Sequence, residues 1–170
     1  MRIRPETVAD RDAIARVNTE AFGQPAEARL VERLRQDGDA VVSLVADDAN
    51  AGVIGHILFS PVRLDPSPPS PPRWLGLAPM AVLPPYQRTG IGSALVRAGL
   101  DAARDAGASA VVVLGHAAYY PRFGFAPASR VGLRSIYDAP DEAFMALALV
   151  PGALGTLRGL VRYAPAFDAL

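Results

Sequence analysis

Val82-Leu83-Pro84-Pro85-Tyr86-Gln87-Arg88-Thr89-Gly90-Ile91-Gly92 is the stretch on which the reading of this chain turns. The residues before it, from Trp74, form a strand candidate. Those after it, from Gly90 to Ala106, place Ile91, Leu95, Ala98 and Ala102 on one face of a helix. Two glycines at such a strand-to-helix turn let successive backbone N–H groups converge on one concave spot, where the helix dipole also favours negative charge. Glycine allows a ligand close to the backbone, and Arg88 supplies a cation that can neutralise a phosphate. A bare Gly-x-Gly also fits an ordinary strand-to-helix turn. Two nucleotide motifs do not fit: no Gly-Lys-Ser or Gly-Lys-Thr follows, and the place of a third glycine is held by Leu95.

Outward from this turn, Ala110 to Leu114 is a short apolar, β-branched run that reads as a buried strand, parallel to the Trp74–Val82 strand across the intervening helix. Upstream, Val41 to Ala46 and Val53 to Val62 are strand candidates around a hairpin turn, Asp47 to Gly52. Before them come a strand at Arg2–Arg4, a helix capped by Thr7 with Asp10 three positions on and running to about Phe22, and a second helix opened by Pro25 and ending near Gly38. Over half of the 16 prolines lie between Pro61 and Pro85, so Pro66 to Pro72 reads as a surface loop. Downstream, a short helix near Ala118–Phe123 and strands near Phe125 and Phe144–Val150 complete the core. Glycines and Pro165 in the last twenty residues predict an irregular tail packed on the domain.

A chain of 170 residues fits one domain, and 51% hydrophobic against 20% charged residues is a globular composition. The 17 arginines balance 17 acidic residues, so the electrostatic footprint that carries nucleic-acid affinity is missing and such a partner is demoted. The absence of Cys removes disulfides, thiolate metal sites and a cysteine nucleophile, and two His make a His-rich metal site a poor reading. The charged N-terminus has no signal-peptide core and no apolar run reaches about 18 residues, which points to the cytoplasm and away from membranes.

Val82, Pro84, Gln87, Gly90 and Gly92 resemble the acetyl-CoA-binding motif of the GNAT superfamily of N-acetyltransferases, V-x-P-x-x-Q/R-x-x-G-x-G/A. Tyr120-Pro121-Arg122-Phe123-Gly124-Phe125 is similar to the family's Tyr-x-x-x-Gly-Phe element. Within the superfamily, these runs and Gly55–Ser60 look like a bacterial subgroup of predicted acetyltransferases. The resemblance implies an α+β, three-layer fold: a mixed, mostly antiparallel sheet splayed between two parallel central strands ending at Val82 and Leu114, with helices on both faces. Residues 1–150 would form the N-acetyltransferase domain, with 151–170 as its tail. It also implies acetyl-CoA as co-substrate in the wedge. Backbone N–H groups of Arg88, Thr89, Gly90, Ile91, Gly92 and Ser93 would hold the pyrophosphate. Met80, Ala81 and Val82 would pair with the pantetheine arm like an added strand. Gln87, Gly115, Tyr120 and Phe123 would complete the cofactor side. The sequence departs from the pattern at Gly115-His116, where many members carry Asn.

Amine acetylation needs a neutral amine, and a lysine-like ammonium has a pKa of about 10.4, so the site must remove a proton before attack on the thioester. The resemblance implies the Val82 N–H as oxyanion donor and Tyr120 as the acid that assists the leaving thiolate, with Tyr119 reading as a packed aromatic. The base stays open: His56 shares a strand face with Ile54 and Leu58, equally compatible with a hydrogen-bonded core histidine, and His116, Glu20, Glu27 and Glu142 are further candidates. Without Cys, direct transfer in a ternary complex is preferred, with a Ser60 relay as the covalent alternative. Arg122 and Arg130 face either CoA phosphates or solvent, and Trp74 is a packed strand residue or part of an acceptor pocket. The two N-terminal helices, the Pro-rich loop and the tail would build that pocket for a small-molecule or protein amine, in a monomer or a homodimer. The competing functions are an acyl-CoA sensor without chemistry and an interaction module without cofactor.

Overall fold

A computed structural model describes residues 1–155 and 157–170. Its centre is a hairpin of mostly apolar residues buried on both faces, β2 (Val42–Asp48) and β3 (Gly52–Asp65), turned at Asp48 by its carboxylate accepting the Asn50 and Ala51 N–H groups. β1 (Arg2–Pro5) adds to β2, and β4 (Trp74–Val82) adds antiparallel to β3. The chain then crosses through α3 (Ile91–Asp105) to β5 (Ala110–Leu114), parallel to β4, and β8 (Phe144–Ala148) and β6 (Ala126–Pro127) follow. The resulting order is β1-β2-β3-β4-β5-β8-β6, in which β4–β5 is the one parallel neighbour pair.

Period-two alternation gives this sheet two apolar faces. Gly55 lets α3 lie close: a Cβ there would meet Leu95 at 3.0 Å and Ile91 at 3.3 Å. The opposite face, carrying His56, is covered by α1 (Arg11–Phe22) and α2 (Ala26–Gln36), whose Ile14, Val17, Leu30, Val31 and Leu34 are buried. Helices therefore flank a mixed sheet, the α+β, three-layer arrangement expected.

Two local expectations change. The Thr7 start yields a single 3₁₀ turn, Val8–Asp10, before α1 begins at Arg11. Asp10 is engaged there by Arg4 at 2.7 and 3.0 Å and by the Thr7 N–H at 2.7 Å, which ties the turn to β1. The tail is not irregular throughout. β3 outruns both its neighbours, and its end, Arg63–Asp65, pairs with β9 (Gly159–Arg162), which also lies parallel to β7 (Leu133–Ser135). Backbone groups along that extension need partners, and the tail supplies them. A last 3₁₀ turn, Pro165–Ala169, buries Phe167.

Candidate active site

The cavity is made by a failure of pairing. β4 and β5 share register only over Trp74–Gly76 and Ala110–Val112, although β4 continues to Val82 and β5 to Leu114. Between the diverging ends lies a cavity of about 860 Å³.

Which β4 groups face it follows from the antiparallel alternation. The Leu83 N–H donates to the Ile54 carbonyl at 2.9 Å, so 54/83 and 56/81 are hydrogen-bonded pairs, while 55/82 and 57/80 are not. Met80 and Val82 thus turn their backbone groups away from β3 and toward the wedge. Ala81 turns its own back to His56 and buries its side chain, which removes it from the expected strand-like contact. The Val82 carbonyl is already occupied by the Gln87 side-chain amide at 2.9 Å, so Gln87 staples the loop after β4 while lining the cavity.

At the far side of that loop, Arg88 (φ 62°) and Gly90 (φ 91°) both adopt the left-handed region directly before α3. Alternating hands of backbone turn consecutive N–H groups into one concavity, and the first turn of α3 has N–H groups without helical partners. Arg88, Gly90, Gly92 and Ser93 line the cavity. Thr89 and Ile91 do not: the Thr89 hydroxyl donates to the Tyr86 carbonyl, and the Ile91 side chain is buried near Gly55. Only their backbones remain available.

β5 ends at Leu114, and Gly115 accepts the ring of Tyr120 so closely that a Cβ would lie 2.5 Å from it. Tyr120 has its ring packed at edge geometry against Tyr119 and Phe125 and is 7% exposed. Its hydroxyl makes no hydrogen bond among the described residues, and the residue lines the cavity. Burial pushes this phenol up to about 12, so it stays protonated at neutral pH. Tyr119, read from sequence as packing only, also lines the cavity, with its hydroxyl 3.0 Å from Ser93 Oγ at the start of α3. Adjacency to Tyr120 was the one available signal for it. Phe123 stands behind this pair, against both tyrosine rings and beneath the Arg97 guanidinium at 5.1 Å, and does not line the cavity as expected.

His56 does not reach the site. It is fully buried, its Nδ1 accepts from Asn18 Nδ2 at 3.1 Å, and its Nε2 therefore carries the proton toward Ser43 Oγ at 2.9 Å. Burial lowers its pKa to about 4. Both nitrogens are committed, which corrects its candidacy as base. Ser60 and Trp74 are buried on the sheet and absent from the cavity wall. Glu20, Arg130 and Glu142 are exposed elsewhere. The lining titratable side chains able to move a proton are Glu27, His116, Tyr86, Tyr119 and Tyr120, with Arg88 and Arg122 as cations. Phe22, Leu30 and Phe167 complete the wall, whereas the Pro-rich loop takes no part. Among the described residues there is no cluster of metal-ligating side chains and no helix long and apolar enough to cross a membrane.

A wedge between two diverging parallel strands, with Met80 backbone groups and the Val82 N–H unpaired along one wall and a helix N-terminus at its end, is the form of acyl-transferase site that the resemblance implies. Comparison with known proteins places it further. The Acetyltransferase (GNAT) family is matched over residues 11–125. The uncharacterized N-acetyltransferase YhbS of Escherichia coli strain K12 is 39% identical over 168 residues, covering 99% of each chain. The crystal structure of the E. coli GNAT family N-acetyltransferase YhbS in complex with CoA superposes with a TM-score of 0.91 at 38% identity, covering 98% of this chain and 91% of that one. A GNAT family acetyltransferase from Brucella melitensis in complex with acetyl-CoA gives 0.79 at 37% identity, covering 98% and 97%. The chain belongs to the GNAT acetyltransferase family and is an N-acetyltransferase by that membership.

Proposed function

We propose that this protein transfers the acetyl group of acetyl-CoA directly to a primary amine of a small molecule or a protein, in a ternary complex, in the bacterial cytoplasm. The observation that carries this reading is the pairing pattern of β4: Met80 presents its backbone N–H and carbonyl, and Val82 its N–H, to the wedge at the point where the chain also offers the Arg88–Ser93 concavity. One groove thus has a strand edge for an amide-bearing arm and a cradle for a diphosphate, and the two relatives crystallised with CoA or acetyl-CoA support that use.

Acetyl-CoA supplies the activated thioester. The Val82 N–H faces the wedge and donates to the carbonyl oxygen as it gains charge, a contact strengthened by exclusion of water. Tyr120 holds a proton at its hydroxyl for the departing sulfur. Full transfer from a phenol near 12 to a thiolate near 8.5 runs uphill by about 5 kcal/mol, so hydrogen-bond donation precedes any proton transfer. The ammonium proton leaves through His116, which lines the cavity, or to solvent. With no Cys in the chain and Ser60 off the cavity wall, direct attack needs no covalent enzyme intermediate.

Thiol release from acetyl-CoA across a panel of primary amines tests the reading, alongside calorimetry of CoA binding. Amine-dependent release is expected. CoA binding without release for any amine would convert the protein into a sensor, and absence of CoA binding would remove the site altogether.

A further inference from the structure

Beyond the donor groove, the rest of the cavity has a chemistry of its own. Phe22, Leu114 and Leu170 are among the few large apolar side chains that stay exposed, at 43%, 38% and 60%, and all three border this cavity. Leu30, Leu77 and Phe167 lie buried beneath them in the same wall, with Phe167 held by the Tyr163 ring at a centroid distance of 5.1 Å. Apolar surface concentrated at one concave place marks a binding site rather than chance exposure. Glu27 is the one carboxylate side chain among the described lining residues. It forms no ion pair among them and accepts only from Gln24 Nε2 at 3.0 and 3.2 Å. The cations, Arg88 and Arg122, come from other elements, before α3 and after β5.

We infer that the end of the cavity formed by α1, α2 and the Pro165–Ala169 turn selects a monoamine carried on an apolar body, an aryl or branched alkyl group, with Glu27 attracting the ammonium. The inference rests on the acetyl-transfer reading and names its acceptor class. One carboxylate side chain in the wall suits one positive charge, whereas a polyamine or an aminoglycoside would bring several charges and many hydroxyls against Phe22, Leu30, Leu77 and Phe167 without side-chain partners. The carboxylate attracts the charged amine on entry, and the proton departs before attack. Glu27 also sits in the first turn of α2, where a negative charge favours the helix, so its test needs a readout that helix stability would not move.

Purified protein with saturating acetyl-CoA is assayed for thiol release with 2-phenylethylamine and cyclohexylmethylamine against ethanolamine and spermidine. A kcat/KM at least tenfold higher for the two apolar amines is expected, and Phe22→Ser should cut that preference severalfold. Glu27→Gln should raise KM for 2-phenylethylamine about tenfold with kcat changed less, while inhibition by the neutral analogue 2-phenylethanol stays as in the parent. Equal or better turnover of the polar amines, or an unchanged KM in Glu27→Gln at parental thermal stability, would overturn the inference and leave acetyl transfer standing. Release with no amine at all would remove both.

Discussion

Tyr120 shows how much of a residue's role lies in its surroundings. Its ring is packed on Gly115 and between two aromatics in the cavity wall, and this burial raises the phenol to about 12. Tyr120→Phe keeps the packing and removes the donor. Turnover should fall about a hundredfold, within the usual range for a positioned acid, while CoA affinity measured by calorimetry stays within about twofold. Unchanged turnover would take Tyr120 out of the chemistry. Arg88 is a second case, a non-glycine held at φ 62°. The left-handed conformation costs roughly 1–2 kcal/mol for such a residue, so Arg88→Gly relieves strain but adds unfolded-state freedom worth about 0.5–1 kcal/mol. The balance runs from zero to a gain of about 1 kcal/mol. Denaturant midpoints should hold or rise slightly, whereas CoA affinity should drop about tenfold at low salt and less at high salt. The motif could announce Arg88 as a cation, but its strain is visible only in the backbone.

At the scale of elements, the turn between β4 and α3 was legible because its chemistry is local: glycine where the chain needs a positive φ, followed by helix-forming residues with apolar spacing. Gly90→Ala should therefore be costly although nothing crowds the position. At φ 91° a Cβ is strained whatever the space, and a loss of about 1–2 kcal/mol in urea stability with weaker CoA binding is expected. Retention of full stability would mean that the turn adopts another conformation. The contacts of β4 were not legible in the same way. Met80, Ala81 and Val82 look alike as an apolar run, and which of them serves the wedge depends on the register with β3, set by partners over twenty residues away. The same holds for β9, whose glycine-flanked sequence reads as irregular until the overhang of β3 gives it an edge to complete.

For the molecule as a whole, His56 couples the core to pH. It is buried between α1 and the sheet, bonded through both nitrogens, with a pKa lowered to about 4 from 6.5. The unfolded chain takes up this proton below about 6.5 and the folded one does not until about 4. Stability is therefore full above 6.5 and falls as pH drops through that window, by on the order of 3 kcal/mol. Urea midpoints between pH 7.5 and 4.5 measure it, and His56→Gln should flatten the slope there. An identical slope in the variant would assign the effect elsewhere. Asp10, held below the usual carboxylate range first by its hydrogen bonds from Arg4, adds a loss only at more acidic pH. Read as a string, the chain already defined its family, the order of its elements other than β7 and β9, and the Arg88–Ser93 turn as a candidate anion cradle, because periodicity, glycine placement and short motifs act over a few neighbouring residues. Which strand residues open onto the wedge, the retreat of His56 into the core, and the wall that Phe22, Glu27 and Phe167 build together all depended on folding, since each needs segments distant in the chain to meet.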